Sequence, residues 1–210
     1  MRIPHLKYTL MFGDSAFGPG NCEEVREEIR RNGTLREPTF TEKISFIYDA
    51  LIAGPKGLHA SKIRDILEYE GFWGYTPMKF VPNKEAFVQG KRLEIPVPFG
   101  YETGELSLDK FARHPLIIAI SEGEENADKL AQIAAIHRAN PVIESYKNVA
   151  QEVIVPAISL YMGKGGLVIG CVNYDDSQNN AYAFGIQPST EDAVTTQIRG
   201  KLAGLKKRMG

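Results

Sequence analysis

Apolar positions along this chain recur with two different periods, and the changes of period divide it into elements. Residues 6–12 alternate as a strand, which the Gly-rich stretch Gly13 to Gly20 closes as a turn. Asn21 caps a short charged helix over Cys22 to Arg31, stopped by Asn32-Gly33. Thr41 caps the next helix, where Ile44, Ile47, Tyr48 and Leu51 fall at i, i+3, i+4 and i+7 and make one apolar face. Gly54-Pro55-Lys56-Gly57 breaks it, and a third helix covers Ala60 to Glu70 with Ile63, Ile66 and Leu67 inward. Residues 72–104 are aromatic, Pro-rich and short-stranded. Phe87-Val88, then Gln89-Gly90-Lys91, then Leu93-Glu94-Ile95 predict a hairpin.

The second half alternates differently. An apolar strand at 116–121 runs into a helix over 124–138, whose Leu130, Ile133, Ala134 and His137 share a face. Residues 142–162 carry two readings: Ile143, Tyr146, Val149 and Val153 suit a helix, whereas Val153-Ile154-Val155 suits a strand, with Pro156 as punctuation. A strand from Gly166 to Val172, a polar loop and a strand at 181–186 follow. Ser189-Thr190-Glu191-Asp192 is a capping box opening a final helix that ends in Lys206-Lys207-Arg208. The expected fold class is α/β or α+β, and the change of pattern near residues 100–108 divides the chain into an N-terminal region, 1–104, and a C-terminal α/β region, 105–210.

Composition adds bounds. At 210 residues with 43% hydrophobic and 24% charged side chains, the chain has the make-up of a soluble globular protein with one substantial core or two small ones. A formal net charge of −1 supplies no global attraction to nucleic acid, so DNA contact has to come from local clusters or through metal ions. The two cysteines, Cys22 and Cys171, and the four histidines, His5, His59, His114 and His137, match no metal-ligand spacing. No apolar run has membrane-spanning length and Arg2, His5 and Lys7 interrupt any signal-peptide core. The expectation is a reduced protein of the cytoplasm, with no membrane contact.

Two features carry candidate chemistry. The helices on either side of Gly54 to Gly57 have helix-turn-helix grammar, and the hairpin after them makes it winged. Lys56, His59, Lys62 and Arg64 are then the side chains placed to meet phosphates, although Asp65, Glu68 and Glu70 share their helix. The second feature is acidic. The run 116–121 ends in Glu122-Gly123, and the run ending at Val172 meets Asn173-Tyr174-Asp175-Asp176. Two neighbouring strands ending in carboxylates gather the oxygens that a hard cation such as Mg²⁺ accepts. Glu124 and Glu125 are better read as acids complementing a helix N-terminus, and Asx-rich loops also exist for turn geometry alone.

Glu122 and the Asn173-x-Asp175 run, in this order and separation, resemble the Toprim superfamily, whose pattern is a strand ending in Glu, a helix, and a later strand ending in Asp-x-Asp. The preceding winged helix makes the chain similar to the A subunit of topoisomerase VI and its meiotic double-strand-break relatives. Ile47-Tyr48-Asp49-Ala50-Leu51-Ile52, Ile63-Arg64-Asp65-Ile66, Leu93-Glu94-Ile95-Pro96 and Met162-Gly163-Lys164-Gly165 carry that likeness over residues 41–176. It implies a Toprim-like sheet with flanking helices and an Mg²⁺ held by Glu122, Asn173, Asp175 and Asp176. It further implies a tyrosine that attacks a DNA phosphodiester, with Arg64 as electrostatic partner. Tyrosine and metal would meet across two protomers, so a homo-oligomer or partner subunit is expected. The chain departs from the pattern: the family's tyrosine pair falls on Leu67 and Glu68, leaving Tyr69 one step on, and Asn173 replaces an aspartate. A catalytically degenerate relative fits as well as an active one.

Other readings stay open. A non-enzymatic winged-helix adaptor for DNA or protein needs none of the acids, and a structural or assembly protein needs neither feature. Gly13-Asp14-Ser15 resembles the first block of the GDSL hydrolases. Their late Asp-x-x-His has no counterpart, because the last histidine, His137, follows Ala134 at that spacing and leaves Ser15 unactivated. Gly163-Lys164-Gly165-Gly166 lacks phosphate-loop spacing and reads as a turn. The basic C-terminal helix, with Arg199, Lys201, Lys206, Lys207 and Arg208, reads as a solvated face that also offers phosphate contacts.

Overall fold

The computed structural model describes residues 1–5, 8–53, 58–82, 85–93, 106–137, 140–145, 151–163, 166–171 and 181–188. Strands β1 (Arg2–His5) and β2 (Tyr8–Gly20) lead into α1 (Cys22–Asn32) and α2 (Phe40–Tyr48), which continues as a π-helical turn (Asp49–Ala53). Helix α3 (Leu58–Tyr69) follows, then β3 (Phe72–Gly74), β4 (Met78–Val81), β5 (Glu85–Val88) and β6 (Lys91–Leu93). Helices α4 (Leu108–Ala112), α5 (Pro115–Ile120) and α6 (Glu124–Ile136) precede β7 (Val142–Ser145), β8 (Val153–Val155), β9 (Ile158–Gly163), β10 (Gly166–Cys171) and β11 (Ala181–Ile186). None of these helices is long and apolar enough to cross a membrane.

The strands form two open sheets. The larger has the order β1-β2-β11-β3-β9-β10-β7, the smaller β6-β5-β4-β8. The larger is mixed, with β11 parallel to β3 and β10 parallel to β7 among antiparallel neighbours. This is a mixed α/β fold with flanking helices. Both sheets draw strands from either side of residues 100–108: β3 pairs with β9 and β4 with β8.

Alternation along the central strands separates two apolar layers. Phe72, Leu160, Phe184 and Ile186 join the main core with α2, α3, α5 and α6, while Trp73, Ala181 and Ala183 join Val25 and Ile29 of α1. Helix α1 begins where expected, because Asn21 and Glu24 form a reciprocal capping box. Trp73 Nε1 donates to Gly20 O at 2.9 Å and Tyr75 Oη to Cys22 O at 3.1 Å, fixing α1 to the sheet. On the other layer α2 lies directly over β3. A Cβ at Gly74 would stand 2.6 Å from Phe40 Cα, so only glycine permits this approach.

Three expectations are corrected. The apolar run 116–121 is not a strand but α5, opened by His114 accepting from the Leu116 amide and by Pro115 at the first helical position. A short run with no exposed position shows no period of its own: Leu116, Ile117 and Ile120 lie in the core, and Ile118 and Ala119 are partly buried against it. The stretch Gly13 to Gly20 is not a turn but the far half of β2, where its pairing with β11 shifts register twice. Glycines accommodate such bulges as readily as turns. Helix α2 is capped by Thr39, whose Oγ1 accepts from the Glu42 amide, rather than by Thr41. Thr41 instead is buried and donates to Ile120 O at 3.3 Å, tying α2 to α5. Within the ambiguous stretch, 142–145, 153–155 and 158–163 are strands.

Candidate functional site

Glu122 follows a helix, so its geometry differs from the expected strand end. The Gly123 amide donates to Ile118 O at 2.9 Å and the Glu122 amide to Ala119 O at 3.3 Å. This is a Schellman ending with Glu122 at the left-handed position, φ 58°, where glycine is usual. Its exposed carboxylate accepts from Gln89 Nε2 at 2.8 Å. Gln89-Gly90 is the two-residue turn of the β5–β6 hairpin, with φ 50° and 77°, as the hairpin pattern led us to expect. On the side toward β1, the Glu122 and Glu42 charges reach His5, which shares a buried 2.7 Å hydrogen bond between its Nδ1 and Ser45 Oγ. Glu42 itself is held by two hydrogen bonds from Arg36, at 2.8 and 2.6 Å.

The other expected residues that the structure describes lie on α3. Arg64 and Tyr69 lie five positions apart on α3, about 140° around the helix, so they share no face. Tyr69 is 79% exposed, and Lys62, also exposed, places its Nζ 5.9 Å from the centre of the Phe184 ring. His59 opens the same helix. Arg64 and Glu68 act electrostatically on His137, at the C-terminal end of α6. Glu122 precedes the N-terminal end of that helix, roughly 20 Å away. Arg64 therefore lies toward the opposite end of α6 from Glu122 within one chain. Asn173, Asp175, Asp176 and Lys56 lie outside the described residues. Among the described residues no group of three His, Cys, Asp or Glu side chains is placed to hold a metal ion.

The other early motifs resolve plainly. Ser15 is exposed within β2, away from any strand-to-helix turn that would present a nucleophile, while Asp14 accepts from the N-terminal ammonium at 3.3 Å. Glu124 and Glu125 stand in the first turn of α6, and Glu125 accepts from Lys129 at 2.9 Å.

The small sheet contains a site that the motif reading passed over. Its register sets Met78 opposite Val88 and Val155, Phe80 opposite Ala86 and Val153, and so turns one face into the core. The intervening positions line up on the outer face: Arg92 pairs with Phe87, Phe87 with Lys79, and Lys79 with Ile154. An aromatic residue thus lies between two basic positions on adjacent strands. Ile154 is 57% exposed, whereas Phe87 and Lys79 are half-buried. A cavity of about 350 Å³ opens there, lined by Pro77, Met78, Lys79, Phe87, Gly90 and Ile154. Lys79 Nζ also meets Glu152 Oε2 at 2.6 Å, in a pair with both side chains nearly half exposed. The signal is present as the period-two alternation of Met78-Lys79-Phe80, Ala86-Phe87-Val88 and Val153-Ile154-Val155, but the pairing that brings the third run to the first is not local in sequence.

One buried group belongs to neither region. Lys43, on the inner face of α2, is fully buried, its Nζ 5.4 Å from the centre of the Phe72 ring and without a hydrogen-bond partner among the described residues. Burial pushes its amine well below the usual lysine range.

Scans of the chain against protein-family models, curated proteins and solved structures each found no match.

Proposed function

We propose that this chain is a non-catalytic nucleic-acid-binding protein whose contact surface is the outer face of the small sheet. The observation that carries the reading is the cross-strand row in which Phe87 stands between Lys79 and the position of Arg92, beside an open cavity. Cations at spaced positions hold phosphates, and an aromatic ring between them gives a base a surface to stack on. The hairpin that bears Phe87 is also the wing of the winged-helix adaptor reading. Strand cleavage draws less support: Glu122 ends the helix α5 where the pattern needs a strand end, and its carboxylate holds Gln89.

Fluorescence anisotropy with short labelled oligonucleotides tests this. Binding should weaken steeply with added salt, and Lys79→Gln should weaken it and reduce the salt slope by about one. Absence of binding at low salt overturns the proposal. Mg²⁺-dependent nicking of supercoiled plasmid, lost in Tyr69→Phe and in Glu122→Gln, would overturn its non-catalytic part and restore the transesterification reading.

A further inference from the structure

We infer that the cavity beside Phe87 is the seat of one unpaired base, which makes the partner a single strand rather than a duplex. The inference rests on the nucleic-acid reading above and adds to it the form of the ligand.

The walls decide the kind of occupant. Pro77, Met78, Phe87 and Ile154 are apolar, and among the described residues of the lining Lys79 is the ionic one. At about 350 Å³ the space is at the small end of the range for a bound small molecule, enough for one planar ring system and too small for a folded element. A base has the matching character, with an uncharged flat body to lie on the Phe87 ring and a phosphate on either side. The register places basic positions on both sides of it: Lys79 on β4 and position 92, an arginine, on β6 pair with Phe87. In a duplex the base faces are already stacked on their neighbours, and reaching the cavity would require unpairing and extruding one at a cost in free energy. A single strand presents its faces without that cost.

The floor of the site is fixed by the fold. Met78 is 1% exposed, and its neighbours across the strands, Val88 and Val155, are buried in the core. The rim at Gly90 adjoins Gln89, which Glu122 holds at 2.8 Å. Glu152 covers Lys79 in the free protein, but an exposed ion pair of this kind contributes little and yields readily to a phosphate.

The experiment compares a single strand, the duplex of the same sequence and a single strand of abasic sugar-phosphate, each by anisotropy at one salt concentration. The single strand should bind about tenfold more tightly than either competitor, and Phe87→Ala should lose about tenfold toward the single strand while leaving the abasic strand unaffected. Ile154→Ser, at the exposed wall of the cavity, should weaken the single strand in the same direction. Circular dichroism and the unfolding midpoint establish that each variant is folded. Equal affinity for duplex or abasic strand, or an unaltered affinity of both folded variants, overturns the unpaired base while leaving the binding surface standing. Failure of every oligonucleotide to bind overturns both.

Discussion

Gln89 and Glu122, the two non-glycine residues with positive φ among the described residues, hydrogen bond to each other through their side chains at 2.8 Å. Each stands at a turn where glycine or asparagine is usual: one in the β5–β6 hairpin, the other ending α5. A left-handed conformation costs an ordinary side chain about 1–2 kcal/mol, and the contact between them joins the hairpin to the helix pair across 33 positions of sequence. Strain of this kind persists where a side chain is needed, and here the need is to pin the turn that borders the cavity.

Substitutions at 122 separate the two effects. Glu122→Gly relieves the backbone and loses the side-chain bond, whereas Glu122→Ala loses the bond and keeps the strain. The glycine variant should be more stable than the alanine variant by about 1 kcal/mol in urea unfolding. In both, the amides of Gln89 and Gly90 should exchange faster than in the parent chain. An alanine variant as stable as the glycine variant would falsify the left-handed assignment.

Lys43 gives a prediction of opposite sign from most buried residues. An amine without a partner costs stability on burial, so Lys43→Met should stabilise the protein by on the order of 1–3 kcal/mol. The pH dependence follows from the depressed pKa. Between the folded value and the ordinary value of 10.5, the unfolded chain binds a proton that the folded chain refuses. Stability should therefore rise with pH through the alkaline range and level off above 10.5, and the rise should flatten in Lys43→Met. Urea midpoints measured from pH 7 to about 10 decide it; a falling midpoint in the parent chain, or an unchanged slope in the variant, refutes the assignment.

Much of the architecture was legible because it is written locally. Asn21 with Glu24 announces α1, the Gln89-Gly90 pair announces the hairpin, and the spacing of Ile63, Ile66 and Leu67 announces the inner face of α3. Where no position of a short apolar run is exposed the pattern loses its period, so the run at 116–121 carries no mark of helix beyond His114 and Pro115 in front of it. The sheet partners were illegible for another reason. Ile154 joins Lys79 and Phe87 only because β8 returns to the edge of β4, and no spacing within one strand records which distant strand will lie beside it. The acidic residues were conspicuous, but their type does not say whether a carboxylate faces a cation or an amide, and Glu122 faces the amide of Gln89.

Acid should destabilise the protein through its histidines. Burial holds His5 below its ordinary value of 6.5, against the pull of Glu42 and Glu122, and His137 is depressed in the same way, against Glu68. Below 6.5 the unfolded chain takes up protons that these folded imidazoles refuse, so their contribution is present above that value and declines as the pH falls toward the folded values. The unfolding midpoint should drop between about pH 7 and pH 5, and the imidazole signals of both residues should titrate below 6.5 by NMR. A His5 signal titrating above that value would mean that the Ser45 contact does not hold a neutral ring.

Glu152 offers a gain of function. Its carboxylate lies 2.6 Å from Lys79 Nζ, and the two side chains are 48% and 44% exposed, so the pair should add less than about 1 kcal/mol to stability. On a surface that takes up phosphates the same carboxylate repels the ligand and occupies the amine. Glu152→Gln should therefore leave the unfolding midpoint nearly unchanged and tighten oligonucleotide binding by roughly two- to tenfold at low salt, a range that corresponds to one exposed charge. The gain should shrink as salt screens the interaction over about 10 Å at 0.1 M. In Lys79→Gln the same change should matter less, because part of its effect is the release of that amine. Weaker binding by Glu152→Gln would place the phosphates elsewhere than the outer face of the small sheet.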